Sequence, residues 1–236
     1  KELIKFTVEY VDKKVPVIAG TGSNNTKEAI ELTEFAEKVG ADGALLITPY
    51  YNKPTQKGLY LHYKEIAKSV SIPLILYNVP SRTGVSISPE VVAELSEIKN
   101  IVGIKEASGS LDQVSKILTL VKRDDFVVLS GDDSLTLPII AVGGKGVVSV
   151  ASNIVPLDVS QMVEYALNGD FEKARKIHLK LFPIFKILFI ETNPIPVKTC
   201  LSLMGMISPE WRLPLCGPSE ENIENIKKTI KEYGLI

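Results

Sequence analysis

The sequence predicts an α/β protein of the parallel, barrel-like class, and three observations carry that expectation. Short apolar runs recur between Val15 and Val150, each followed by a segment with helical spacing of its apolar residues. Runs of this kind, bounded by turn residues, read as strands buried on both faces of a parallel sheet. Their alternation with helices puts those helices outside the sheet. Polar and aromatic residues gather at the C-terminal ends of the runs, the face on which parallel α/β folds bind ligands. No turn after a strand carries G-x-G-x-x-G, so the dinucleotide-binding variant lacks its fingerprint.

The chain opens with Lys1–Val11, apolar at helical spacing but without a capping residue in front, and reads as the second half of a helix. The first strand is Val15–Gly20, followed by the polar turn Thr21–Asn25; Thr26 or Asn25 can cap a helix running to Val39, which Gly40 closes. The second strand, Gly43–Thr48, ends in Pro49-Tyr50-Tyr51-Asn52, and a helix follows from Gln56 to Val70. The third, Pro73–Asn78, leads into a loop over Val79–Gly84 and a helix over Pro89–Ile98. Ile101–Ala107 is the fourth strand and carries Lys105, with a helix over Leu111–Val121 behind it. The fifth strand, Phe126–Ser130, ends in Gly131-Asp132-Asp133 ahead of a short helix at Leu135–Ala141, and Gly146–Val150 is the sixth. From Pro156 onward only helices are expected: Leu157–Leu167, Phe171–Ile190, Ile195–Met204 and Glu220–Tyr233. Residues 1–155 therefore form the barrel-like part and 156–236 a helical C-terminal extension.

Composition narrows the function. A formal net charge of −1 provides no basic field for nucleic acid and no polybasic surface for membrane. Neither a membrane-spanning run nor a secretory leader is expected. Two cysteines, Cys200 and Cys216, make neither a disulfide framework nor a metal cluster, and a reducing cytoplasm is the default compartment.

Lys105 is the residue around which chemistry can be built. At the C-terminal end of a buried strand, desolvation favours the neutral amine, which attacks carbonyls to form a Schiff base. The plainer alternative is a lysine that snorkels into water. Tyr77 ends the preceding strand and, with strands about 4.8 Å apart, can share a pocket with Lys105; it either relays protons or caps the core. Arg82, held in a proline-containing loop, suits a substrate carboxylate, or is a solvated loop residue. Tyr50 and Tyr51 form an aromatic pair, read alternatively as an interface patch. Gly131 and Val148 offer backbone approach to a small oxo-acid. Asp132 and Asp133 could bind a hard cation, but no further ligands cluster near them, and no metal is expected. His62 and His178 lie in helical segments and read as surface or packing residues. Glu191–Lys198 reads as a rigid helix entry, with Asn193 free to cap.

Several segments resemble the dihydrodipicolinate synthase family. They are Tyr77-Asn78-Val79-Pro80-Ser81-Arg82-Thr83-Gly84, Gly103–Ala107, Ile18–Gly22, Thr48–Asn52, Leu129–Asp133 and Asn193–Lys198. The resemblance runs the length of the chain and extends to the pyruvate-dependent class I aldolases, which include N-acetylneuraminate lyase. It implies a TIM (β/α)8 barrel and a lyase of lysine and diaminopimelate synthesis that condenses pyruvate with aspartate 4-semialdehyde. Pyruvate would be held covalently on Lys105 with no separate cofactor. Tyr77 would donate and accept protons, and Tyr51 would belong to a proton relay across a dimer interface. Arg82 would bind the aldehyde's carboxylate and Val148 would contact pyruvate through its backbone. Gly22, Asn24, Glu28 and Tyr50 match part of the lysine pocket of feedback-regulated members, and a homotetramer is the usual assembly.

The resemblance also implies that the first two barrel strands, the second ending in Thr-Thr-Gly-Glu, precede the helix that opens this chain, so that six of eight are present. On that ground a fragment or truncated product of low or no turnover is expected. Two readings stay open beside the synthase: a pyruvate-dependent aldolase acting on another aldol, and a catalytically dead interface or regulatory subunit.

Overall fold

Parallel pairing in chain order organises the first 131 residues. The computed structural model describes residues 1–236. Five strands, β1 (Ile18–Gly20), β2 (Gly43–Ile47), β3 (Leu74–Asn78), β4 (Ile101–Glu106) and β5 (Val127–Ser130), each pair in parallel with the next. Helices α1 (Glu2–Val11), α2 (Thr26–Lys38), α3 (Gln56–Ser69), α4 (Pro80–Thr83), α5 (Pro89–Ser96) and α6 (Leu111–Leu120) alternate with them. The class is α/β, as the sequence predicts.

Capping explains where the helices start. Of the two candidates for α2, Asn25 is the cap: its side chain accepts from the N–H groups of Lys27 and Glu28. Thr55 caps α3, Ser88 caps α5 ahead of Pro89, and Ser110 caps α6. Lys1, before α1, contributes no side-chain cap. Leu46, Leu74, Leu76, Ile101 and Ile104 are fully buried on the strands, against helix residues such as Leu59, Tyr63 and Leu95, which is why the strand segments read as near-continuous apolar runs. The Tyr63 hydroxyl donates to the Leu46 carbonyl at 3.3 Å, so this buried phenol is satisfied. His62 is a packing residue beside it. Its Nδ1 lies 2.9 Å from Thr26 Oγ1, and burial pushes its pKa down to about 4.

Two segments differ from expectation here. The first strand starts at Ile18 rather than Val15, because Pro16 has no N–H and the Val17 N–H bonds to the Asp42 side chain at 2.7 Å instead of a ladder. Val79–Gly84, expected as a loop, contains the helical turn α4. Pro80 occupies its first position, the Val79 carbonyl accepts from the N–H groups of Arg82 and Thr83, and Gly84 ends it at φ +72°.

Residues 1–131 with 142–145 form one compact unit, and residues 132–141 with 146–236 form another. The second unit begins with a 3-10 turn (Asp133–Leu135) and α7 (Thr136–Ala141). It continues through β6 (Gly146–Val147), a 3-10 turn (Ala151–Asn153), α8 (Pro156–Leu167), α9 (Phe171–Ile187), α10 (Ile195–Leu203) and α11 (Glu220–Tyr233). Val159, Met162, Leu181, Phe185, Cys200 and Ile226 are among its buried core residues. His178 on α9 lies against the rings of Phe182 and Phe185. The sixth strand ends at Val147, not Val150, because the N–H groups of Val150 and Ala151 bond to Asp133 Oδ2 at 2.9 and 3.0 Å. The helix expected to reach Ile190 stops at Ile187, where the Phe189 and Ile190 N–H groups switch to carbonyls three residues back. Asn193 does not cap α10. Pro194 takes that position, and the Ile195 N–H closes a turn onto the Thr192 carbonyl at 2.9 Å. No helix is long and apolar enough to cross a membrane.

Candidate active site

A one-residue register shift brings the two principal candidates together. β3 and β4 start with Leu74 opposite Ile101, but Ile75 then pairs with Gly103, leaving Val102 as an extra residue. Without that irregularity Tyr77 would lie opposite Ile104, and Lys105 opposite Asn78. With it, Tyr77 pairs with Lys105 and Asn78 with Glu106. Because side chains alternate between faces, a slip of one residue decides whether two side chains share a pocket or point to opposite sides. Gly103 fits the tight spot beside the shift: a Cβ there would come within 2.6 Å of both the Val127 carbonyl oxygen and its Cγ2.

The Lys105 Nζ lies over the Tyr77 ring, 3.9 Å from its centroid, close enough for a cation–π contact when the amine is protonated. Both residues are half-buried. Burial pushes the Tyr77 hydroxyl above the ordinary tyrosine range, and the Arg82 guanidinium pulls it partly back. Arg82 is thus electrostatically coupled to Tyr77 from α4, where its own side chain is exposed. An amine held on an aromatic ring that carries a protonated hydroxyl can attack a carbonyl and receive the proton traffic that dehydration requires.

Gly131 follows β5 on the same side. A Cβ there would sit 2.6 Å from Ala107 Cβ and 3.1 Å from Lys105 Cε. Neither neighbour yields cheaply, since Ala107 has no torsion to turn and Lys105 would leave the Tyr77 ring. Gly131→Ala is expected to cost about 1–3 kcal/mol by overpacking, read as a lower denaturation midpoint in urea.

The other candidates lie at the ends of β1 and β2. Gly22 leaves no room for a side chain, its Cβ falling 2.4 Å from the Ile47 nitrogen. Asn24 donates to the Tyr50 carbonyl at 3.1 Å, and Asn52 donates back to the Asn24 carbonyl at 3.0 Å, tying the two turns together. Glu28 accepts from the Ser23 hydroxyl at 2.8 Å. Tyr51 is 89% exposed and holds φ +72°, a conformation costly for a residue with a Cβ. Val148 belongs to the second unit, just after β6. Asp132 and Asp133 turn to their own chain: Asp132 bonds the N–H and hydroxyl of Ser134, and Asp133 holds Val150 and Ala151.

Sequence reasoning passed over a polar cluster on the opposite face of β3 and β4. Asn78 and Glu106 are 0% and 2% exposed, and Asn78 Nδ2 donates to both Glu106 oxygens at 3.0 and 3.3 Å. Their signal was in the string: a buried-strand pattern with Asn and Glu directly after Tyr and Lys. Thr48 and Thr83 were also missed; both are buried, with their hydroxyls 3.3 Å apart.

The family model of the dihydrodipicolinate synthetase family matches residues 1–233. The 4-hydroxy-tetrahydrodipicolinate synthase of Persephonella marina is 58% identical over 238 residues, covering 100% of this chain and 81% of that relative. The crystal structure of dihydrodipicolinate synthase from Aquifex aeolicus superimposes with a TM-score of 0.98 at 51% identity, over 99% of this chain and 80% of that one. The chloride-inhibited dihydrodipicolinate synthase of Acinetobacter baumannii, solved with pyruvate, gives a TM-score of 0.97 at 45% identity, over 100% of this chain and 80% of that one. With the family model matched over residues 1–233 and a relative 58% identical across the whole chain, this chain belongs to the dihydrodipicolinate synthetase family.

Proposed function

We propose that this protein condenses pyruvate with L-aspartate 4-semialdehyde, a lyase-class step of lysine and diaminopimelate synthesis. The observation that carries the reading is Lys105 Nζ on the Tyr77 ring at 3.9 Å, in a chain whose relatives bear the synthase name. In the first step the Lys105 nitrogen attacks the keto carbon of pyruvate. Tyr77 passes protons so that the carbinolamine loses water and leaves an iminium. Loss of a methyl proton gives the enamine, whose carbon forms the new bond to the aldehyde carbon. Attack by the amino group of the condensed product on the imine carbon closes the ring and frees Lys105. Pyruvate itself is the covalent partner, so no separate cofactor enters.

Around that pair, Arg82 binds the carboxylate of the aldehyde substrate, and Gly131 approaches pyruvate through its backbone. Tyr51 belongs to a proton relay completed by a second copy of the chain, its exposure and positive φ being what an interface residue would carry. Gly22, Asn24, Glu28 and Tyr50 form part of a regulatory lysine pocket. A homotetramer in the cytoplasm is the assembly and setting that fit this reading.

Incubating the protein with pyruvate and borohydride tests it. A reduced adduct mapped to Lys105 is expected, and an unmodified Lys105 in folded protein overturns the reading. Arg82→Ala is expected to leave this trapping intact while raising KM for the aldehyde by roughly 10–100-fold, the scale of one lost charge-assisted hydrogen bond. Steady-state kinetics with each substrate varied in turn separates the two effects.

A further inference from the structure

We propose that Asn78 and Glu106 are positioning residues for the reaction, a buried clamp that fixes the shifted register holding Tyr77 against Lys105. The inference rests on the Schiff-base reading above.

The shift between Leu74 and Ile75 has to be held somewhere, because the backbone ladder alone accepts either register along an apolar strand. The strand ends supply the hold. Tyr77 and Lys105 face one side of the sheet, and the next pair in register, Asn78 and Glu106, faces the other. Asn78 Nδ2 reaches both Glu106 oxygens, and also Ser86 Oγ at 3.1 Å. Asn78 Oδ1 accepts from the Ile87 N–H at 3.2 Å. Glu106 Oε1 accepts from the Ser108 N–H at 2.6 Å, and Oε2 accepts from Gln113 Nε2 at 3.2 Å. Gln113 also donates to the Ile87 carbonyl at 3.1 Å. Two strand ends, the turn after β4, the segment before α5 and the first turn of α6 thus converge on the Asn78–Glu106 pair. In the unshifted register, Asn78 would lie opposite Lys105 and this cluster could not form.

Every group facing Glu106 in this cluster is a donor, so both of its oxygens must accept. A glutamine of the same shape would set its amide nitrogen against Asn78 Nδ2 or the Ser108 N–H, leaving buried donors opposed. Exchanging the pair restores the match between residues 78 and 106: in N78D/E106Q the amide at 106 donates and the carboxyl at 78 accepts, still facing the Ile87 N–H. Gln113 loses its acceptor at 106 and keeps the Ile87 carbonyl and the Ser86 hydroxyl.

The experiment measures pyruvate trapping, kcat and both KM values for wild type, E106Q, N78A and N78D/E106Q, with thermal melting to establish that each is folded. Folded E106Q and N78A are expected to lose about 10²-fold in kcat, the scale of an ångström-level misplacement. Pyruvate KM is expected to stay within about threefold, since neither residue touches substrate. The double variant is expected to regain at least about tenfold over E106Q, the sign of direct coupling. A folded E106Q or N78A with kcat within about twofold of wild type overturns the proposal, as does a double variant no better than E106Q. If E106Q does not fold, N78A and the double variant decide: kcat lowered in N78A and higher in the double variant supports the clamp, and the reverse order overturns it. Wild-type protein that gives no Lys105 adduct overturns the Schiff-base reading together with this one. Wild-type trapping with unimpaired variants overturns this one alone.

Discussion

Replacing Lys105 with alanine is expected to abolish the borohydride-trapped pyruvate adduct and to lower turnover by about 10³-fold or more, the scale of deleting a covalent nucleophile. The fold should survive. Lys105 is half-buried and carries no part of the apolar core, whereas Ile104 beside it is fully buried. Truncation removes the contact with the Tyr77 ring and opens space beside Gly131, where Lys105 Cε now lies. Far-ultraviolet circular dichroism and melting should therefore be near wild type while trapping is lost. Lys105→Arg makes the sharper control. It keeps a cation over the ring, but a guanidinium stays protonated and cannot form the imine. Loss of trapping in both variants assigns the chemistry to the amine itself, and an adduct surviving in either would move the nucleophile elsewhere.

How much of this was legible in the sequence depends on whether a feature is local. The strands are apolar runs between turn residues, so their order and their parallel pairing followed from the string, and so did Asn25 as one of the two candidate caps of the helix after the first strand. The place of Lys105 near the C-terminal end of its strand was legible because the apolar run stops at it. What stayed hidden was pairwise. The extra residue at Val102 leaves no mark in periodicity, since Val102 is as apolar as its neighbours, yet it decides that Tyr77 and not Asn78 faces Lys105. The clamp formed by Asn78, Glu106 and Gln113 joins positions whose spacing in sequence carries no pattern. The shortened sixth strand is the same kind of case, since Asp133 takes the N–H groups of Val150 and Ala151 from across a gap of 17 or 18 residues. Local propensity favoured a strand there, and a distant carboxyl group overrode it.

Tyr77→Phe isolates the hydroxyl from everything else the side chain does. The ring under Lys105 remains, and with it the packing and the cation–π contact at 3.9 Å. Turnover is expected to fall by about 10²–10⁴-fold, the range for losing a general acid–base group. Trapping should reach the wild-type extent on long incubation but more slowly, because the imine equilibrium is set by Lys105 and pyruvate while the hydroxyl serves the proton transfers. The pH profile gives the sign. Burial holds the Tyr77 hydroxyl above the ordinary value of about 10, so it stays protonated through the neutral range and donates. The wild-type rate should fall only as pH rises through that elevated value and the donor ionises. In Tyr77→Phe that alkaline limb should disappear. In Arg82→Ala it should move higher still, because the guanidinium that partly stabilises the phenolate is gone. Profiles of kcat/KM for the three proteins check this, and an alkaline limb unchanged in Tyr77→Phe would assign the proton transfers to another group.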